Sequence, residues 1–256
     1  MRKKSIIILS LIVFSILGFG VNLNELETYI KTQQGLLAKQ KSNMFVRMRK
    51  FNLPPRVQKA FEDVQRELFT FHRESIAASK ANVRQTYQET PLAIGYGQTI
   101  SSPNMVAIMT KMAIPDPNDV VLEIGTGSGY QGAILSKLCK KVYTIEIVKP
   151  LSQSTEGVFK RYNYTNIVSK AADGYFGWKE HGPFDKILVT CATNHIPPAL
   201  IQQLKRGGIM LVPVGHPYKT QQLIEVTKLA DGKIKTRRLM HVRFVPMTGR
   251  AMQGAR

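Results

Sequence analysis

Residues 120–130, Val-Val-Leu-Glu-Ile-Gly-Thr-Gly-Ser-Gly-Tyr, join an apolar run to three alternating glycines. The apolar run predicts a buried parallel strand, the glycines a tight turn whose backbone lies open to a ligand, and residues 131–139 a helix. A second strand, 141–147, carries Glu146 about twenty residues after Gly125, where Rossmann-type sites place a carboxylate on ribose hydroxyls. The stretch predicts a site for a nucleotide-like ligand. The alternative is a plain strand-to-helix turn with a solvated Glu146.

The spacing of the glycines indicates which nucleotide fits. A dinucleotide site follows the pattern Gly-x-Gly-x-x-Gly and presents a helix N-terminus to a pyrophosphate. Here the pattern is Gly125-x-Gly127-x-Gly129, and Glu123 stands two residues before the first glycine. A carboxylate beside the turn repels a pyrophosphate but attracts a ligand that carries an ammonium and a sulfonium. This favours S-adenosylmethionine over NAD.

Composition sets the class of protein and its range of partners. The 256 residues are 43% hydrophobic, enough for a sizeable core, and carry 36 Lys and Arg against 17 Asp and Glu, a net charge of +19. Such a charge favours nucleic acid, anionic lipid or acidic protein as partners. Cys139 and Cys191 lack metal spacing and are interpreted as buried thiols, so no metal is expected.

The N-terminus resembles a targeting segment. Met1-Arg2-Lys3-Lys4 precedes an almost wholly apolar stretch to Gly20, which predicts a cleaved signal peptide or an uncleaved membrane anchor, the alternative being a cytoplasmic helix or a misassigned start. Residues 21–50 predict a polar helical segment, and residues 28–61 hold eight basic residues and no acid. That segment could contact an anionic membrane or a nucleic acid, or be a solvated basic surface.

A second informative stretch covers residues 91–103, which hold two glycines and two prolines among apolar and aromatic residues. It predicts an ordered, partly buried loop, followed by a helix over 104–112 that Ser101 or Ser102 caps. Two interpretations remain open for this loop: a well-made turn and cap, or a substrate-binding element.

The remaining pattern predicts an α/β fold. A helix over 56–69 precedes the sheet, and strands are expected over 166–170, 184–191 and 209–214, with a helix from 196 to 204 that ends at Gly207-Gly208. Asp173 follows the third strand and could bond an adenine amino group. Residues 222–229 and 234–245 predict a hairpin around Asp231-Gly232. The sum is a seven-stranded mixed sheet with an antiparallel C-terminal hairpin and an N-terminal helical cap.

Four stretches carry a family likeness: Pro-Leu-Ala-Ile-Gly-Tyr-Gly-Gln-Thr-Ile-Ser at 91–101, Val-Leu-Glu-Ile-Gly-Thr-Gly-Ser-Gly-Tyr at 121–130, Pro-Phe-Asp-Lys-Ile-Leu-Val-Thr at 183–190 and Arg-Phe-Val-Pro at 243–246. Over roughly residues 44–249 the chain resembles the protein-L-isoaspartate (D-aspartate) O-methyltransferases, which have the class I S-adenosylmethionine-dependent methyltransferase fold. The first stretch is specific to that family, whereas the second alone indicates only the class. Ala93, Gln65 and Thr193-Asn194-His195 depart from the family pattern, which bears on substrate preference more than on cofactor binding.

The resemblance implies a reaction and a set of site residues. The implied reaction is methyl transfer from S-adenosylmethionine to the α-carboxylate of an isoaspartyl residue in a protein or peptide, a repair reaction. Ser101 is implied as the catalytic residue. The predicted cofactor-binding residues are Glu123, Gly125, Thr126, Gly127, Ser128, Gly129, Glu146, Asp173 and Gly174. The predicted substrate-binding residues are Ile100, Ser102 and Val214.

Two other functions compete with this one. A methyltransferase acting on RNA suits the net charge, but Thr190-Cys191-Ala192-Thr193 stands where an Asn-Pro-Pro-Tyr segment would be expected. A non-enzymatic surface or membrane-associated protein that retains the fold suits the leader, since the methyl donor is not expected outside the cytoplasm. The leader thus suggests export or anchoring, whereas the family resemblance suggests the cytoplasm. The predicted organisation is a signal peptide or anchor at 1–20, a basic helical segment at 21–50, a methyltransferase domain at 51–249 and a flexible tail at 250–256.

Overall fold

The protein structure, a computed structural model, describes residues 22–252. Its helices are α1 (Leu23–Thr32), α2 (Gln34–Met48), α3 (Pro55–Asp63), α4 (Ile76–Val83), α5 (Pro103–Ala113), α6 (Tyr130–Ser136), α7 (Lys149–Arg161) and α8 (Pro198–Gln203). Its strands are β1 (Leu92–Gly95), β2 (Gln98–Ile100), β3 (Val120–Ile124), β4 (Lys141–Glu146), β5 (Ile167–Ala171), β6 (Phe184–Val189), β7 (Leu204–Val214), β8 (Gln221–Lys228) and β9 (Ile234–Val242). The predicted leader at 1–20 lies outside the described residues. No helix within 22–252 is long and apolar enough to cross a bilayer.

One mixed sheet organises the molecule. Its strand order is β5-β4-β3-β6-β7-β8-β9, in which β5 to β7 run parallel and β8 pairs antiparallel with both of its neighbours. The predicted seven-stranded sheet with a C-terminal hairpin is therefore confirmed. Chain order reverses on either side of β3, and ligands of open α/β sheets bind at such a switch point, outside the carboxyl ends of the strands.

The central strand β3 is buried on both faces. Val121 packs with Met109 and Leu135 from α5 and α6 on one face of the sheet. Leu122 and Ile124 belong to the cluster on the opposite face. A parallel strand covered on both sides needs apolar residues at successive positions, which explains the continuous run that the sequence shows.

The N-terminal helices form the predicted helical cap. Leu26 of α1, Met44 of α2 and Phe61 of α3 share one hydrophobic cluster with Tyr130 of α6 and Phe159 of α7. The cap thus packs on the helices that follow the glycine turn.

A partly buried ion pair also ties α1 to the end of α7. Arg161 Nε donates to Glu27 Oε1 at 2.6 Å, and the Tyr162 hydroxyl donates to the same oxygen at 2.6 Å. The bond from Arg161 holds the pKa of Glu27 below its ordinary value.

The helix expected over 56–69 is in fact two elements. α3 ends at Asp63, Val64 is extended, and a 3-10 turn follows over Arg66–Phe69. The break places Arg66 in the core, where its guanidinium donates to the carbonyls of Thr86 and Ser101, both at 2.7 Å. The helical pattern of residues 56–69 does not indicate this tertiary contact, so the break could not be predicted from it.

One further boundary differs from the expectation. The helix begun by Pro198 ends at Gln203, and β7 starts at Leu204, so Gly207 and Gly208 lie in a bulge between the pairs Phe184–Leu204 and Lys186–Ile209. At the end of the described residues, Gly249–Met252 form a turn of 3-10 helix, and the tail at 250–256 stays a prediction.

Candidate active site

The glycine turn after β3 has the geometry that requires glycine. Gly125 has a φ of 96°, and a Cβ there would lie 2.7 Å from Thr190 Oγ1. Gly129 has a φ of 91°, and a Cβ there would lie 2.7 Å from the Phe159 ring. By contrast, a Cβ on Gly127 would meet no atom closer than 3.8 Å, an ordinary van der Waals contact, so the backbone is less crowded at this position. The turn therefore lets a ligand approach the backbone closely.

A partly open cavity lies at the carboxyl edge of the sheet beside this turn and has an empty volume of about 840 Å³, mouth included. We call it the acidic cavity. Among the predicted site residues, the structure brings together on its wall Ile100, Ser101, Glu123, Gly125, Thr126, Gly127, Ser128, Glu146 and Gly174.

The remaining predicted residues lie around this cavity rather than on its wall. Gly129 is the residue before α6. Asp173 accepts bonds from the backbone N–H of Tyr175 at 2.9 Å and of Arg250 at 2.7 Å, and so fixes the turn that presents Gly174. Ser102 caps α5 by accepting from Met105 N at 3.4 Å. Val214 is the last residue of β7 and does not line the acidic cavity.

Glu123 is fully buried on the cavity side of the central strand. The Thr144 hydroxyl donates to its Oε2 at 2.6 Å, while its Oε1 is buried without a partner among the described residues. Burial raises the pKa of Glu123 to about 8, and the nearby Glu146 carboxylate adds to the effect. An unpartnered buried carboxyl oxygen is costly, and a cation bound in the cavity would compensate it.

Glu146 closes the other side of the turn. Its Oε2 accepts from Gly127 N at 2.8 Å, and its Oε1 accepts from Val148 N at 2.9 Å. Burial raises the pKa of Glu146, while these backbone bonds oppose the rise. Within residues 22–252, Glu123 and Glu146 are the acidic side chains that line the cavity, and no basic side chain lines it. The donor set therefore suits a cationic nucleoside and opposes a pyrophosphate.

Other residues of the wall were not predicted from the sequence. Thr190, at the end of β6, donates its hydroxyl to the carbonyls of Ile124 at 2.9 Å and Gly125 at 2.7 Å. The segment 245–248 returns to the site after β9 and is fixed by a bond from Met247 N to the Ala192 carbonyl at 2.7 Å. Val245 and Pro246 of the Arg-Phe-Val-Pro stretch lie on the cavity wall, which only the topology shows.

Ser101 stands on the rim of the acidic cavity. The buried Arg66 side chain holds the Ser101 carbonyl and lies 4.6 Å from the centre of the Tyr130 ring. Burial lowers the pKa of Arg66 to about 10, which leaves it charged at neutral pH. The Ser101 hydroxyl has no hydrogen-bond partner in the described part of the chain, so it is available to an acceptor molecule.

A second cleft opens on the far side of Ser101, and we call it the basic cleft. Its charged side chains are Lys219 and Arg243. It shares a wall with the acidic cavity, made of Thr99, Ser101, Met105, Thr190, Val245 and Pro246. The hydroxyl of Ser101 thus lies where an acidic and a basic chamber meet.

The sheet order, the glycine turn and the acidic cavity at its carboxyl edge together define a class I methyltransferase that uses S-adenosylmethionine. Comparison with known proteins is consistent with this class. The family model described as protein-L-isoaspartate(D-aspartate) O-methyltransferase matches residues 38–252, so the chain belongs to this family.

Individual relatives agree with the family match. Protein-L-isoaspartate O-methyltransferase 1 of Cupriavidus necator is 46% identical over 198 residues, which cover 77% of this chain and 73% of that protein. Protein-L-isoaspartate O-methyltransferase 2 of Syntrophobacter fumaroxidans is 47% identical over 203 residues, 79% of each chain. A protein-L-isoaspartate O-methyltransferase structure from Plasmodium falciparum, in complex with S-adenosyl-L-homocysteine, aligns with a TM-score of 0.68 at 26% identity and covers 82% of this chain and 98% of that one.

Proposed function

We propose that the protein methylates the α-carboxylate of L-isoaspartyl residues in damaged proteins or peptides, with S-adenosylmethionine as the methyl donor. One observation carries the proposal: the unpartnered Ser101 hydroxyl lies between a cavity lined by carboxylates and a cleft lined by cations. A cationic donor fits the first chamber and an anionic acceptor fits the second. The family match supports the same reaction.

The residues of the acidic cavity fit the donor. Glu146 retains lone pairs for ribose hydroxyls beyond its two backbone bonds. Glu123, whose Oε1 has no partner among the described residues, supplies negative charge once a bound cation favours its ionised form. Gly127 and Gly174 line the cavity, and a Cβ on Gly174 would lie 2.4 Å from the Ile124 side chain, so this position requires glycine. Asp173 holds the turn at Gly174 in place. When bound, S-adenosylmethionine supplies a methyl group activated by a sulfonium.

The acceptor needs orientation more than activation. A carboxylate with a pKa near 4 is already ionised at neutral pH, so the site requires no general base. Ser101 donates a hydrogen bond to the incoming carboxylate and aims it towards the acidic cavity. Arg66 fixes the backbone that carries this hydroxyl. Met105, Val106 and Met109 give the acidic cavity an apolar surface beside Ser101 that excludes water. Such positioning contributes several kcal/mol to catalysis.

The decisive experiment offers isotopically labelled S-adenosylmethionine together with an isoaspartyl peptide, the matched aspartyl peptide and an RNA. We expect label in a base-labile ester of the isoaspartyl peptide and none in the other two acceptors. Label transferred to RNA would favour the alternative acceptor. Failure to bind S-adenosylmethionine in calorimetry would instead favour the non-enzymatic alternative.

Contact with an anionic membrane remains a prediction, as does the signal peptide. Several cations of the basic segment have partners inside the protein: Lys41 donates to the Glu62 carbonyl, Arg47 to the Tyr87 carbonyl and Arg56 to the Leu138 carbonyl. These bonds direct the three side chains towards the protein but leave their charge unchanged. Flotation with vesicles that contain or lack phosphatidylserine tests the contact, and equal flotation with both would contradict it.

A further inference from the structure

The basic cleft carries two positive charges that the methyl-transfer reaction alone does not require. Lys219 lies in the loop between β7 and β8, and Arg243 follows directly after β9. Both side chains are exposed, and neither has an ion pair or side-chain hydrogen bond within the part of the chain that the structure describes. No acidic residue of that part lines the cleft. The positive charge at the mouth is therefore not neutralised.

Cations elsewhere on the same hairpin are of two kinds. Arg237 of β9 bonds Glu225 at 2.8 Å, and Lys233 lies 3.3 Å from Asp231, whereas the exposed Lys235 and Arg238 of β9 lie outside the cleft. Position therefore distinguishes Lys219 and Arg243, which line the cleft beside Ser101. An unscreened pair of this kind attracts anionic groups that approach the cleft.

A buried glutamine holds the two cationic segments together. Gln221 is 1% exposed, and its Nε2 donates to the Lys219 carbonyl at 2.6 Å and to the Pro217 carbonyl at 3.2 Å. Its Oε1 accepts from Phe244 N at 2.9 Å. One side chain therefore fixes the backbone beside Lys219 and the backbone beside Arg243. The cleft is built before a ligand arrives, which lowers the entropic cost of binding.

The rest of the lining suits an extended peptide. Pro91, Pro217, Tyr218 and Phe244 give the cleft apolar and aromatic surface, and Tyr218 is 69% exposed at its mouth. A peptide that brings a carboxylate to Ser101 must pass its neighbouring residues over this surface, because the cleft opens from the same shared wall.

We propose that the basic cleft binds the residues flanking the reacting site and selects isoaspartyl peptides whose flanks are acidic. The inference rests on the proposed function, since it names the substrates that the same site prefers. Lys219 and Arg243 are the residues that determine this specificity. They contribute to substrate binding and not to the chemical step.

The test compares three isoaspartyl peptides that differ only in acidic, neutral or basic residues at the two flanking positions on each side. For the unmodified protein we expect kcat/KM for the acidic peptide to exceed that for the neutral one by roughly three- to tenfold, as exposed charge pairs allow. The double variant Lys219→Gln, Arg243→Gln should bring this ratio close to one. Lys235→Gln is the matched control, because Lys235 is an exposed cation of β9 outside the cleft.

Equal kcat/KM values for the three peptides would overturn the inference, as would the same loss of preference in Lys235→Gln. If no isoaspartyl peptide is methylated, the proposed function fails, and the cleft is then tested alone by fluorescence anisotropy. Tighter binding of the acidic than of the neutral peptide, lost in the double variant, would support the cleft without the activity. Tighter binding of an RNA oligonucleotide than of the acidic peptide would overturn it.

Discussion

The acidic cavity and the basic cleft meet at one wall but present their charge in opposite ways. The carboxylates of the acidic cavity are buried and placed by backbone N–H groups, a threonine hydroxyl and a glycine turn. The cations of the basic cleft are exposed, and only their backbone is fixed. A buried charge interacts strongly with its partner but has a large desolvation penalty, whereas an exposed charge has a small penalty and interacts weakly with varied partners. The difference suits the proposed reaction, in which one fixed donor meets isoaspartyl acceptors whose flanking residues vary.

The largest expected effect concerns the wall between the two chambers. Ser101→Ala removes the hydrogen bond to the acceptor carboxylate, and such a bond to a charged group is worth about 1.5–3 kcal/mol, so we expect kcat to fall roughly 10- to 100-fold. The affinity for S-adenosylmethionine should change by less than about twofold, since Ser101 contributes no charge to the acidic cavity. Steady-state kinetics and calorimetry measure the two quantities. A large loss of cofactor affinity would contradict this division of roles.

The adjoining hydroxyl provides a comparison. Ser102→Ala removes the cap of α5, which should lower the free energy of unfolding by about 1 kcal/mol. A rise in KM for the peptide in this variant would assign Ser102 the substrate-binding role that the sequence predicted.

The second-largest expected effect is a pH dependence of stability that arises from Glu123 in the acidic cavity. The pKa of Glu123 is about 8 in the folded protein, which is above its value in an unfolded chain. At any pH between these two pKa values, the folded protein therefore binds more protons than the unfolded chain. The stability from this proton is complete below the unfolded pKa and is lost as the pH rises through 8. Glu123→Gln should therefore be more stable than the unmodified protein at pH 8 by about 2–4 kcal/mol, measured by denaturant unfolding without ligand.

Glu123→Gln, the more stable protein at pH 8, should bind the donor more weakly than the unmodified protein. A cation in the acidic cavity favours the ionised Glu123, so affinity for S-adenosylmethionine should rise from pH 6 to 8 by up to about tenfold per unit. In Glu123→Gln this rise should be absent and the affinity low at every pH. A parallel pH profile in both proteins would show that another group binds the cation.

The smallest expected effect is a difference between the two chambers in how strongly ligand binding depends on salt. Raising the ionic strength from 0.05 to 0.5 M shortens the screening length from roughly 14 to 4 Å, which weakens exposed charges far more than buried ones. We expect KM for an acidic isoaspartyl peptide to rise about threefold, while the dissociation constant for S-adenosylmethionine stays within about twofold. Equal sensitivity of both constants would mean that the two chambers do not differ in screening.

The two chambers also differ in how far the sequence could predict them. Glu123, Gly125, Gly127 and Glu146 occur within one strand-turn-helix-strand unit, whose hydrophobic period and glycine spacing are local signals. The fold class followed from the same unit and from the hairpin. The basic cleft, by contrast, is assembled from residues near 91, 101, 218 and 243, which only the folded topology brings together.

Buried polar contacts were equally invisible in the sequence. The helix expected over 56–69 breaks so that Arg66 can reach two carbonyls in the core, and a charged residue gives no sequence signal of such burial. Thr190 and the segment 245–248 line the acidic cavity because of tertiary contacts, which a local sequence pattern does not show. Local patterns predict elements, while contacts distant in the chain decide which side chains face the site.

Arg66 connects the N-terminal cap to the loop that carries Ser101. It follows α3, donates to the carbonyls of Thr86 and Ser101, and lies 4.6 Å from the centre of the Tyr130 ring of α6. One buried side chain thus joins the cap, the loop and the helix after the glycine turn. Damage to the cap should therefore be felt at the acceptor side of the site, although no residue of α1 or α2 lines either chamber.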